Sequence, residues 1–368
     1  MQDQQLYQIA LTMINGIGDI LGRQLLQEFG DAESIFKAKL PQLERIPGIG
    51  RILISEIKRA EVLLKAEKEL SFIEKNKIAC YFITGNNYPF RLRECSDAPL
   101  LLYAKGNLNL QASRIVSIVG TRNMTDYGKE LTENFISGLA KAFPDILVIS
   151  GLAYGVDIYA HRCALRYQLP TVAVLAHGLD RIYPQLHHKT AIDMLETGGI
   201  VSDFPSGTNP DKPNFVKRNR IIAGLSDATI VIESADRGGS LITADIAVSY
   251  SRDVYAFPGR ITDVRSQGCN RLIRQTKAGL ISTAADFISA MCWDVPVASA
   301  QPVQKELAFV PDGKGGAVLN IIRERKEIHI NELSAEFDTP VHELSEILFD
   351  LEMQGFIMAR PGSTYKPA

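Results

Sequence analysis

In Phe215-Val216-Lys217-Arg218-Asn219-Arg220-Ile221-Ile222-Ala223-Gly224-Leu225-Ser226, three cations fall within four residues and the chain then turns apolar. Read as the head of a helix, these cations oppose the helix macrodipole. Local stability does not account for them, whereas an anionic partner does. Downstream, Arg237-Gly238-Gly239-Ser240 with Thr243 offers unhindered backbone and two hydroxyls. Hydroxyls at a helix head serve as N-caps or as phosphate donors, and the sequence leaves both open. Upstream lie Val119-Gly120-Thr121-Arg122 and Ser150-Gly151-Leu152-Ala153-Tyr154-Gly155. Gly120 lets the backbone approach a ligand closely, and Arg122 can fork onto phosphate oxygens. No Gly-Lys-Ser/Thr follows, and Gly-x-Gly-x-x-Gly spacing is missing. The chemistry these pieces suit is the binding of a phosphate chain.

No set of acid, base and nucleophile accompanies them. Asp157 and His161 are four apart and share a helix face. They read either as an acid–base pair or as a dipole residue beside a structural histidine. His187-His188 lacks a third spaced ligand, so no metal is expected. No cofactor is expected either.

The elements that must position these residues alternate. Apolar runs at Cys80–Ile83, Leu100–Ala104, Ile115–Val119, Leu147–Ile149, Val172–Ala176, Ile200–Ser202, Thr229–Ile232 and Val254–Phe257 predict strands buried on both faces. Between them, Tyr127–Phe143, Val156–Gln168, Lys189–Glu196, Asn214–Gly224 and Leu241–Tyr250 predict crossover helices. This is an α/β, Rossmann-like, doubly wound, mostly parallel sheet. Such sheets bind ligands outside the carboxyl ends of their strands.

Helical modules flank it. Ile14-Asn15-Gly16-Ile17-Gly18 and Ile46-Pro47-Gly48-Ile49-Gly50 repeat one pattern, predicting paired helix-hairpin-helix units in residues 1–70. Their turns either dock a DNA phosphate or merely pack. The Rossmann-like domain is expected over 71–293 and a Pro/Gly/Ser-rich linker over 294–316. A winged-helix domain of three helices and a hairpin is expected over 317–368. Its second and third helices carry Glu332, Glu336, Asp338, Glu343, Glu346, Asp350 and Glu352, which favours protein contact over DNA contact.

The chain of 368 residues has a net charge of −2, so nucleic-acid binding must rest on a local patch. Five scattered cysteines give no metal spacing and no disulfide framework. The polar, uncharged start and the lack of a long apolar run predict a cytoplasmic protein with no membrane contact.

Seven motifs in order then carry a specific resemblance. They are Ile118-Val119-Gly120-Thr121-Arg122, Ile149-Ser150-Gly151-Leu152-Ala153, Ala160-His161, Gly178-Leu179-Asp180-Arg181-Ile182-Tyr183-Pro184, Arg218-Asn219-Arg220 through Ser226, Gly239-Ser240-Leu241-Ile242-Thr243-Ala244 and Phe257-Pro258-Gly259. The chain resembles the DprA/Smf family. That resemblance implies a non-catalytic single-stranded-DNA-binding protein of natural transformation. Such a protein protects incoming DNA, promotes RecA loading and forms a homodimer; a single-strand-binding protein is a further candidate partner. By motif, the DNA-binding positions are Gly120, Thr121, Arg122, Ser150, Gly151, Lys217, Arg218, Asn219, Arg220, Gly238, Gly239, Ser240 and Thr243. Leu272 and Ile273 are adjacent apolar residues near the implied dimer contact, and a core role for both stays open. Many members carry Lys after Tyr-Pro, then Asn; here the chain reads Gln185-Leu186-His187-His188. The rival reading is an enzyme resembling nucleotide phosphoribohydrolases. Their Pro-Gly-Gly-x-Gly-Thr mark is broken at Asp236–Thr243, and their catalytic Glu does not follow.

Overall fold

The computed structural model describes residues 2–293, 313–360 and 362–367. These fall into two compact units, one holding the described residues up to 293 and the other those from 313 on.

The first unit opens with six helices: α1 (Gln2–Thr12), α2 (Asp19–Phe29), α3 (Ala32–Lys37), α4 (Leu40–Leu43), α5 (Arg51–Ile57) and α6 (Ala60–Asn76). A nine-stranded sheet follows, formed by β1 (Ala79–Phe82), β2 (Leu101–Gly106), β3 (Ile115–Val119), β4 (Leu147–Ser150), β5 (Thr171–Val174), β6 (Gly199–Ser202), β7 (Ala228–Val231), β8 (Asp253–Ala256) and β9 (Gly279–Leu280). Its helices are α7 (Phe90–Arg93), α8 (Asp126–Ala142), α9 (Val156–Arg166), α10 (His188–Asp193), α11 (Lys212–Leu225), α12 (Gly239–Ser249), α13 (Gln267–Arg274) and α14 (Ala284–Ala290).

The strand order is β1-β2-β6-β5-β4-β3-β7-β8-β9. Strands β3 to β9 pair in parallel, while β2 joins β6 and β1 joins β2 antiparallel. The expected mostly parallel, doubly wound sheet is therefore present. Strand β3 shows why alternation was absent from its sequence. Ile115 and Val119 enter one apolar cluster with α11 and α12, and Val116 and Ile118 enter another with α8 and α14. Strands β4, β5 and β6 run out to one side of β3. Helix α11 then carries the chain back so that β7 pairs on the other side. The crevice beyond the carboxyl ends of β3 and β7 is thus the topological switch point. Ser117 donates to the Ile222 carbonyl at 2.7 Å, tying α11 to the central strand.

The expected boundary at residue 70 is not a seam. Helix α6 runs through it, and one apolar cluster joins Ile9, Leu25 and Ile57 to Leu100, Ile221 and Val231. A Cβ on Gly22 would sit 2.3 Å from Leu100 Cδ1, so α2 approaches the sheet edge as only glycine allows. The two repeated turns share one backbone conformation, with φ of +83° at Gly16 and +86° at Gly48.

The second unit holds α15 (Lys314–Arg325), β10 (Ile328–His329), α16 (Ile330–Phe337), α17 (Val341–Met353), β11 (Ile357–Arg360) and β12 (Thr364–Pro367). Its strands form a sheet in the order β10-β12-β11. Three helices and a hairpin appear in the expected order, with β10 as an addition. The expected linker lies mostly outside the described residues; its last three positions, 314–316, belong to α15.

On α9, His161 is fully buried and its Nδ1 lies 2.7 Å from Thr171 Oγ1 on β5. Burial, reinforced by His187 and Arg218, pushes its pKa down to about 3. The unfolded chain takes up this proton near pH 6.5 and the folded chain does not until about pH 3. Stability contributed above pH 6.5 is therefore lost as pH falls through that window. From this group alone we expect a loss of about 1.4 kcal/mol per pH unit below 6.5. Urea unfolding of the parent and of His161→Gln at pH 7, 6 and 5 should show a flatter slope for the variant. Parallel slopes would contradict this assignment.

Candidate nucleic-acid interface

At the carboxyl ends of β3 and β7 lies an open groove of about 500 Å³. Its walls are the Gly120–Arg122 loop, the Ser234–Ser240 loop and the first two turns of α11. Gly120 is required by packing: a Cβ there would lie 2.4 Å from Val156 Cγ2. The Thr121 N–H donates to the Glu233 carbonyl at 2.8 Å, and Thr125 N–H to the Glu233 carboxylate at 2.9 Å. Those amides hold the loop and are not free for a phosphate. Arg122, by contrast, is exposed, and its guanidinium lies 5.4 Å from the Phe215 ring centre. Tyr183 meets Phe215 edge-on at 6.1 Å.

The α12 side of the groove is better supplied with free donors. Gly238 caps α12 without a side-chain bond, and Gly239 is exposed. The first-turn amides of α12 face an end of partial positive charge suited to an anion. The two hydroxyls resolve the alternative left open above. Ser240 Oγ donates to Ser234 Oγ at 2.9 Å, and Thr243 Oγ1 to the Gly239 carbonyl at 3.3 Å. Both are buried and neither caps the helix.

The cationic run requires a larger correction. Pro213 sits in the first turn, so α11 begins at Lys212 and the run falls in its second and third turns. The macrodipole argument does not apply there. Arg218 is only 3 % exposed. It donates to the carbonyls of Gly151, at 2.7 Å, and Val174, with Asp157 as the opposing charge. Burial pulls its pKa down to about 10, so it stays charged at neutral pH. Burial likewise raises Asp157, whose carboxylate accepts from Ala153 N–H at 3.4 Å. Asp157 and His161 therefore have separate structural partners and form no acid–base pair. Gly151 admits the guanidinium: a Cβ would lie 2.6 Å from Arg218 Nη1. Ser150 is buried, donating to the Ile118 carbonyl at 2.6 Å. Asn219 donates to the Gly239 carbonyl at 3.5 Å and so joins α11 to the α12 loop.

Arg220 leaves the groove altogether. Its Nη2 donates to Asp203 at 2.7 Å and to Asp19 at 3.0 Å, and its Nη1 to the Asp97 carbonyl. It fastens α11 to the N-terminal helices. Lys217 is half-exposed, 3.5 Å from Asp203 and 5.1 Å from the Phe204 ring centre. Of the expected DNA-contacting cations, Arg122 and Lys217 reach solvent. Sequence reasoning missed Phe215, Lys212, Arg237 and Tyr183, which line the groove. A usable signal was Phe215 three residues before Arg218, on the same helix face.

His187 is buried, with Nδ1 2.7 Å from the Leu152 carbonyl, and does not replace the missing lysine. Asp245, the acid of α12, pairs with Lys277 at 2.7 Å and does not line the groove. Leu272 is 3 % exposed within the unit's own core, and Ile273 is half-buried against it. Leu272 is therefore unavailable to a dimer contact. Among the described residues no helix is long and apolar enough to cross a membrane.

A family model described as DNA recombination-mediator protein A matches residues 79–292. The chain belongs to this family. Among DNA recombination-mediator protein A relatives, Protein Smf of Escherichia coli is 33% identical over 320 residues, 82% of this chain and 83% of that protein. DNA processing protein DprA of Streptococcus pneumoniae is 39% identical over 216 residues, 59% of this chain and 75% of that protein. The solved structure of the S. pneumoniae protein aligns with a TM-score of 0.63 at 32% identity, covering 77% of this chain and 97% of that one. The Helicobacter pylori DNA processing protein A, described for its single-stranded DNA binding mode, aligns with a TM-score of 0.53 at 30% identity. It covers 59% of this chain and 96% of that one.

Removing Arg220 strands Asp203, whose side chain is 2 % exposed, as an unpaired buried charge. We expect Arg220→Met to lower unfolding stability by about 3–5 kcal/mol. Chemical denaturation measures this. Parent-like stability would show that Arg220 is not the anchor described.

Proposed function

We propose that this chain binds single-stranded DNA along the strand-end groove, without catalysing a reaction on it. The observation that carries the reading is Arg122 held over the Phe215 face, with exposed Lys212 and Arg237 on either side. Cations there contact phosphates, and Phe215 and Tyr183 offer ring faces to bases. A flexible single strand can satisfy both, whereas a duplex keeps its bases stacked away from the rings. The DNA-binding mode named for the H. pylori relative supports the same ligand.

In this reading the protein shields incoming DNA during natural transformation or recombination and promotes loading of RecA on it. A single-strand-binding protein is a further partner. The protein acts as a homodimer, with half-buried Ile273 at the contact. The C-terminal unit serves a protein partner: α17 carries Glu343, Glu346, Asp350 and Glu352 and exposes Phe349 and Met353.

The test is a titration of labelled dT oligomers and matching duplexes at two salt concentrations. Single strands should bind more tightly, and salt should weaken binding steeply. Arg122→Ala should cost about 1–3 kcal/mol of single-strand affinity, the range for charge-assisted contacts. Its melting temperature should stay near the parent's, because the side chain is exposed. Equal affinity for duplex, or an intact affinity with a lowered melting temperature, would overturn the reading.

A further inference from the structure

A second depression, of about 530 Å³, lies between the first N-terminal hairpin and α11. Resting on the groove reading above, we infer that it is a second subsite for the same strand and takes an unstacked base. Its walls include Ile20 and Leu21 from the start of α2, Val216 and Lys217 from α11, and Ile246 from α12. Val216 lines both this depression and the strand-end groove, so the two are continuous. Ile20 is 67 % exposed and Val216 49 %, which leaves an apolar wall facing water. That wall stands beside a half-exposed cation, Lys217, as a base needs beside its phosphate.

The neighbouring acids do not oppose this. Asp19 and Asp203 are neutralised by Arg220 at 3.0 and 2.7 Å, and the Tyr250 hydroxyl donates to Asp97. Access is also open, since a Cβ on Gly18 would meet nothing within 4 Å. The volume falls within the range of about 300–1,000 Å³ typical of small-ligand pockets. Charge and continuity together select the polynucleotide over a protein side chain. The N-terminal helices thereby become part of the DNA path, and affinity gains a dependence on strand length. A strand long enough to leave the groove over Val216 reaches the depression, and a shorter one does not.

The experiment compares parent, Ile20→Ser and Arg122→Ala on oligonucleotides of about 4 and about 12 nucleotides, lengths that bracket one such site. Each is measured by fluorescence anisotropy and by 2-aminopurine emission along the longer strand. Ile20 is exposed, so its substitution leaves the fold intact. We expect Ile20→Ser to weaken the longer strand about fivefold, the scale of one partly buried aliphatic side chain. The shorter strand should bind unchanged, and one 2-aminopurine position should lose its distinct emission. If Ile20→Ser binds both lengths as the parent does while Arg122→Ala weakens both, the subsite is overturned and the groove stands. If Ile20→Ser alters only the mass in sedimentation, the depression is a protein contact and the subsite is again overturned. If Arg122→Ala also binds as the parent does, the groove reading falls and takes the subsite with it.

Discussion

Two arginines buried in one helix set the position of nearly everything at the ligand edge. A guanidinium out of water needs hydrogen bonds and counter-charge, and losing either is expensive. Arg218 meets that demand at the carboxyl ends of β4 and β5, through the Gly151 and Val174 carbonyls. Arg220 meets it two residues on, with Asp19 and Asp203. Helix α11 is thereby fixed both to the sheet and to the N-terminal helices. Its first two turns, with Lys212, Phe215 and Lys217, can then stand over the switch point without moving.

This arrangement divides labour among like residues. The buried arginines hold; the exposed Arg122 and Arg237 and the lysines are free to meet phosphate. Phe215 links the two sets, because Arg122 lies 5.4 Å and Arg218 5.8 Å from its ring centre. Desolvated charge below and solvated charge above give the groove a positive lining although the whole chain carries a net charge of −2.

The sheet was legible because every strand from β3 to β7 packs on both faces and so reads as an uninterrupted apolar run. The eight expected runs each match a strand to within one or two residues. Strand β9 was missed because Gly279–Leu280 is short, exposed and at the sheet edge. The site was legible as a set of loops but not as a set of roles. Arg220 reads as a surface cation because its partners, Asp19 and Asp203, lie far away in sequence. Ser240 and Thr243 read as caps because the short-range pattern is the same whether a hydroxyl turns outward or toward Ser234. Pro213 marked the true start of α11, and giving it that weight would have moved the cations off the helix head.

The central claim is that exposed, not buried, cations carry the polyanion. It is tested most directly by the slope of log affinity for single-stranded DNA against log salt concentration. The parent should be compared with an Arg122→Gln, Arg237→Gln double variant. Each lost phosphate contact should reduce the slope by about 0.7, so the variant should lie about 1.4 below the parent. A slope unchanged from the parent's would place the DNA path elsewhere on the molecule.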